Sequence, residues 1–207
     1  METDEEQVEK LKKWWQENGR SVIAGIVIGV GGLFGYRFWV DYKIDMAEQA
    51  SGHFMLMVEA LETGNRELSN EHAAILTSDY PASDYALLAR LALSRGYVEA
   101  GDFDRAVAEL QQVVGTAGNE PLGYLARARL AAVQLQMSRV EEALGTLAVD
   151  FPGEFSANVE ELKGDIYARL GRPEEAAEAY RKALRGTPGP ADSQFLQQKL
   201  DDLGTTG

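Results

Sequence analysis

The chain has 207 residues, a formal net charge of −13 and an apolar share of 45%. Such acidity argues against nucleic acid as a partner, because phosphates are held by Lys and Arg. The absence of cysteine excludes disulfides, thiolate metal sites, cysteine nucleophiles and anchoring through a lipidated cysteine. The length allows one medium domain plus an appendage, and the apolar share is too low for a polytopic membrane protein.

Residues 1–20 contain EQVEKLKKWWQENGR, which is charged and helix-like. Val8, Leu11 and Trp15 fall at i, i+3 and i+7, with Lys10, Lys12 and Lys13 nearby. That pattern suits a helix on an anionic membrane leaflet or a solvated flank. The next stretch, SVIAGIVIGVGGLFGYRFWV, holds five glycines, Gly25, Gly29, Gly31, Gly32 and Gly35. It is not a dinucleotide loop: counted from Gly29, the sixth position is Phe34, and no strand precedes it. No Gly-Lys-Ser/Thr follows, so it is not a P-loop either.

A membrane span explains the stretch better. Its 20 residues, 21–40, carry Arg37 as their only charge, and at about 1.5 Å each they cover about 30 Å, the thickness of a hydrocarbon core. Trp14 and Trp15 stand before it, and Tyr36, Phe38, Trp39 and Tyr42 stand at its far end, as an aromatic belt requires. No small-x-small site closes the segment, so an uncleaved anchor is expected rather than a signal peptide. Lys10, Lys12, Lys13 and Arg20 precede the span, against Arg37 and Lys43 at its end. The positive-inside rule then puts the N-terminus in the cytoplasm and residues 41–207 on the other side, the periplasm of a Gram-negative cell. On a helix Gly25, Gly29 and Gly32 share one strip with Gly31 and Gly35 beside it. Such a strip admits a partner helix or simply faces lipid.

Beyond Asp41 the pattern is helices of 12 to 20 residues joined by short turns. The clearest unit, ANVEELKGDIYARLGRPEEAAEAYRKALRGTP, runs from Ala157 to Pro188 and places Gly164, Tyr167, Gly171, Ala176, Tyr180 and Ala183 as a tetratricopeptide helix pair does. Ser94, Tyr97, Gly101, Ala106 and Leu110 occupy equivalent places upstream, as do Ala131, Gln134, Ser138, Ala143 and Leu147. Ala106, Ala143 and Ala176 are separated by 37 and then 33 residues, bracketing the tetratricopeptide period of about 34. Asp102 reads as a helix cap, and Ser138 with Glu141 as an S-x-x-E capping box. A fainter unit spans roughly 50–81, with a weak second helix in ELSNEHAAILTSDY. Phe195, Leu196, Leu200 and Leu203 predict a C-terminal capping helix, and residues 204–207 a disordered tail.

The expected fold class is therefore all-α: one N-terminal transmembrane helix, then a tetratricopeptide-like hairpin solenoid over 41–203 with a capping helix. No catalytic chemistry is legible. His53 and His72 lie 19 residues apart without metal-ligand spacing to another histidine or a patterned carboxylate. Paired glutamates such as Glu141–Glu142 and Glu174–Glu175 fall in first turns, where they complement the helix dipole. No nucleophile motif appears, so neither enzyme activity nor a cofactor or metal is expected. By analogy with the fold, a groove lined by first helices would carry Phe54, Val58, Leu88, Leu91, Arg95, Ala128, Ala132 and Asp165. These residues are either ordinary core or, where exposed together, a peptide-binding patch.

Nearly the whole chain resembles the YfgM family, ancillary subunits of the bacterial SecYEG translocon. The resemblance lies in EQVEKLKKWWQENGR, the anchor IAGIVIGVGGLFGYRFW, AEQAS, YALLARLALSRGYVEAGDFDRAVAELQQV and LKGDIYARLGRPEEA. It implies a single-pass inner-membrane protein with a periplasmic helical-repeat domain. The implied partners are SecYEG, the membrane-anchored prolyl-isomerase-like chaperone PpiD, and translocating polypeptides passed on to periplasmic chaperones. A tetratricopeptide scaffold for another envelope assembly or division complex is the alternative.

Overall fold

In the computed structural model, residues 4–186 and 189–205 are described, and among them every regular element is helical. The chain forms two compact units, Met1–Gln49 and Ala50–Gly207. The first helix, α1, runs without interruption from Asp4 to Glu62, through the expected N-terminal segment, the apolar stretch and the first helix of the faint repeat.

Within the second unit, helices follow in hairpins. After α1 come α2 (Arg66–Asp79), α3 (Asp84–Glu99), α4 (Phe103–Ala117), α5 (Pro121–Gln136) and α6 (Val140–Thr146). Then follow α7 (Ser156–Arg169), α8 (Pro173–Gly186) and α9 (Pro190–Thr205). The faint first repeat is real: α2 is capped by Asn65, whose side chain accepts from the Leu68 amide at 3.2 Å. The closing proline of the last repeat, Pro188, lies outside the described residues. So do residues 206 and 207, whereas Gly204 and Thr205 belong to α9.

One turn is used four times. Gly64, Gly101, Ser138 and Gly171 each have positive φ, between 60° and 77°. Each is followed by a residue whose amide reaches back five positions: Asn65 to Ala60, Asp102 to Tyr97, Arg139 to Gln134 and Arg172 to Tyr167, at 2.8–2.9 Å. This is the Schellman closure, which satisfies the last carbonyls of one helix and turns the chain into the next. The turn positions are 37, 37 and 33 residues apart (101−64, 138−101, 171−138), the same spacing as the buried alanines after them. Ala106, Ala143 and Ala176 are each 0% exposed.

Two readings need correction here. Ser138 is not the cap of a capping box: it sits at φ 60° in the turn, and Arg139, at the N-cap of α6, makes no side-chain cap bond. Asp102 does cap, accepting from the Arg105 amide at 3.3 Å. Helix α6 also stops after seven residues, short of the expected 12 to 20, where the Leu147 amide turns back onto the carbonyls of Ala143, Leu144 and Gly145. Since a left-handed residue with a Cβ is strained by about 1–2 kcal/mol, Ser138→Gly should stabilise the protein by about 0.5–1 kcal/mol after the unfolded-state entropy of glycine is deducted. The check is a rise in Tm of about 2–3 °C.

Four buried clusters run along the unit, from Met57, Ala73 and Leu76 at one end to Ala176, Tyr180, Ala183 and Leu196 at the other. The tightest crossing is α7 on α8. Gly164 has no side chain, and the Tyr180 ring occupies the place its Cβ would take. Tyr180 is 3% exposed, and its hydroxyl donates to Asp165 Oδ1 at 2.7 Å.

Candidate partner-binding surfaces

In the first unit, Ile26, Val27, Ile28, Leu33 and Phe34 are all more than half exposed. None of the apolar window is buried, and α1 is the one helix among the described residues long and apolar enough to cross a membrane. Aromatics cluster at both ends of the apolar stretch: Trp14 lies 6.5 Å from Trp15, and Tyr36 6.3 Å from Trp39, ring to ring. Lys43 Nζ stands 5.7 Å over the Trp39 ring. A Cβ added at Gly25, Gly29, Gly31, Gly32 or Gly35 would meet no atom within 4 Å. The packing inside this chain therefore does not require those glycines, and the strip is open to another helix.

In the second unit, the eight first-helix positions part company. Leu91 and Ala128 are buried core residues at 4% and 8% exposure and offer no surface. Phe54 and Val58 pack half-buried against the first cluster, with the Phe54 ring 5.4 Å from Tyr85. Leu88 packs half-buried against the α3–α5 core. Arg95 and Ala132 are exposed, and Arg95 Nε donates to Glu99 Oε1 at 2.9 Å. Asp165 is engaged by the chain itself. Lys199 of α9 donates to both its oxygens at 2.7 and 2.9 Å, and to Glu161 Oε1 at 2.8 Å.

This clasp fixes the capping helix on α7. Burial lowers the pKa of the Lys199 ammonium, but its hydrogen bonds to Asp165 and Glu161 and their negative charges outweigh burial and leave it raised. Burial first, and then the bond to Asp165, likewise push the Tyr180 phenol above the usual tyrosine range. Both groups hold their protons more tightly folded than unfolded. Their contribution is complete below their unfolded values of about 10 and is lost as pH rises through the folded ones. The Tm gap between the wild type and Lys199→Met should accordingly stay constant through neutral pH and close above about pH 10. A gap that persists at the alkaline end would contradict the clasp.

Sequence spacing does not reveal one further juxtaposition. His53 on α1 and His72 on α2 face each other, with their Nδ1 atoms 3.2 Å apart and ring centroids 5.3 Å apart. The contact arises from the hairpin, which brings residues 19 apart to the same level.

Helical hairpins at this period, with a repeated left-handed turn and an alanine or glycine at each close crossing, define a tetratricopeptide-like repeat protein with an exposed apolar N-terminal helix. The tetratricopeptide repeat-like domain family model matches residues 12–205. An ancillary SecYEG translocon subunit of Escherichia coli K12 is 30% identical over 98% of this chain and 97% of its own length. The protein of the same name from Haemophilus influenzae is 28% identical over 97% of each. The chain belongs to this family of ancillary SecYEG translocon subunits, the YfgM family. Among solved structures, MamA from Desulfovibrio magneticus RS-1 superposes with a TM-score of 0.60 at 22% identity, covering 77% of this chain and 90% of that one. That likeness speaks for the fold.

Proposed function

We propose that the chain is a non-enzymatic, single-pass inner-membrane subunit that associates with the Sec translocon. In this reading residues 1–20 lie in the cytoplasm, 21–40 span the membrane, and 41–203 form a periplasmic repeat domain. That domain binds a PpiD-like membrane-anchored chaperone and emerging polypeptides, which it passes to periplasmic chaperones. The observation that carries the reading is α1 itself. An exposed apolar helix with an uncovered glycine strip continues directly into the first hairpin of a repeat array. Relatives named as translocon subunits, matching over nearly their full length, supply the partner.

Within the span, Gly25, Gly29 and Gly32 would receive a helix of the translocon or of the chaperone, since small residues permit close backbone approach. On the repeats, the exposed Arg95 and Ala132 and the half-buried Phe54, Val58 and Leu88 remain the candidates for polypeptide contact. The domain's acidity would discourage aggregation of bound chains.

The test is co-purification in mild detergent. The wild type should bring down SecYEG and the chaperone, and Gly29→Leu should weaken recovery several-fold without preventing insertion. Unchanged recovery by Gly29→Leu would remove the glycine contact from the proposal. Clean absence of both partners from the wild-type preparation would overturn the translocon reading in favour of an envelope scaffold, and a reporter fused after Gly207 that works only in the cytoplasm would reverse the topology.

A further inference from the structure

His53 and His72 are the only histidines in the chain, and the fold places them nitrogen to nitrogen. The backbones on either side are fixed by core residues: Met57 is 1% exposed, and Ala73 and Leu76 are 0% exposed. Both imidazoles are only partly buried, so water and ions reach them. Their recorded contacts are with each other and, for His53, with the Tyr80 ring at 6.0 Å. Neither Nε2 has a hydrogen-bond partner among the described residues.

Two neutral imidazoles can meet through Nδ1 only when one presents an N–H and the other a lone pair. A metal ion can take the place of that single proton. With metal–nitrogen distances of about 2.05 Å, a nitrogen separation of 3.2 Å subtends an angle at the metal of about 100°, close to the tetrahedral value. The separation already suits one bridging ion, and the rings need only turn so that both Nδ1 lone pairs converge on it. Imidazole nitrogen selects zinc, nickel and copper over calcium and magnesium, which require oxygen ligands. No cluster of three or more His, Cys, Asp or Glu able to hold a metal is found among the described residues, so water would complete the coordination and the ion would exchange freely.

We propose that His53 and His72 form a two-imidazole chelate for a divalent transition-metal ion, clamping α1 to α2 at the first hairpin of the array. The clamp would add to the buried cluster that Ala50 and Met57 of α1 share with Ala73 and Leu76 of α2. An ion bound only in the folded hairpin stabilises it in proportion to ln(1 + [ion]/Kd).

The experiment uses the full-length chain in detergent, without a polyhistidine tag, titrated with zinc, nickel or copper(II) salts. One equivalent should bind, Tm should rise with ion concentration, and magnesium should do neither. His53→Asn and His72→Asn should each lose both the binding and the Tm shift while keeping the helical circular-dichroism spectrum. If either variant fails to fold, the wild type alone decides: its copper(II) electron-paramagnetic spectrum should show hyperfine coupling to two imidazole nitrogens. Absence of binding by the wild type, equal binding by folded asparagine variants, or a copper spectrum without nitrogen coupling would each overturn the proposal. The second result would assign the ion to acidic surface groups.

Discussion

Replacing Gly164 by valine should destabilise the C-terminal hairpin by about 2–4 kcal/mol, although valine is the better helix former. Replacing glycine by valine in a helix interior recovers only about 0.2–0.4 kcal/mol. Against that, the new Cβ falls on the Tyr180 ring, and overpacking a closed site costs about 1–3 kcal/mol. The ring cannot swing away cheaply. It is 3% exposed, and its hydroxyl is held by Asp165, which is also held by Lys199. Moving it breaks a hydrogen bond to a charged group, about 1.5–3 kcal/mol, and loosens the seat of α9. Urea denaturation followed by tyrosine fluorescence would measure the loss. Gly164→Val combined with Tyr180→Ala should recover part of it, because the double variant removes the clash. If the double variant is less stable than the sum of the two single changes predicts, the Gly164–Tyr180 contact is not the cause.

The same residues explain why the repeat was legible. Gly101 and Gly171 mark left-handed turns, Ala106, Ala143 and Ala176 mark close crossings, and turn and alanine keep the same offset of five residues because the backbone demands the same thing each time. Ser138 shows the limit of such reading. S-x-x-E is a real capping signal, but here the backbone requires a C-terminal turn, and the local motif loses to the period that surrounds it. The candidate surface was harder to read. A first-helix position says which side of the helix a residue occupies, not what covers it. Leu91 and Ala128 are covered by neighbouring helices, and Asp165 by a lysine 34 residues further on. The histidine pair was illegible for a related reason, since its contact depends on the level at which two helices of one hairpin meet. In the apolar helix the opposite holds. Gly25, Gly29, Gly31, Gly32 and Gly35 meet no side chain or neighbouring element among the described residues, so composition already carried what the structure displays there.

Leu110→Ala and Leu196→Ala should cost similar free energy and yet have different consequences. Each leucine is 1% exposed, and truncating such a residue costs about 2–5 kcal/mol through lost burial and the remaining cavity. Leu110 belongs to the cluster shared by α3, α4 and α5, so its loss weakens neighbours on both sides. Leu196 lies on the last helix, in a cluster with only α7 and α8 behind it. In a stack held by nearest-neighbour interfaces, a central defect divides the array, and an end defect frays it. Leu110→Ala should therefore lower the Tm of the whole repeat domain by about 5–15 °C. Leu196→Ala should leave the main transition nearly in place while α9 amides lose protection in hydrogen exchange. Uniform loss of protection in Leu196→Ala would mean that the array melts as one cooperative block. Local loss would make the α7–α9 clasp a separate unit of stability, so that Glu161 and Asp165 could be uncovered while the hairpins nearer the apolar helix stay folded.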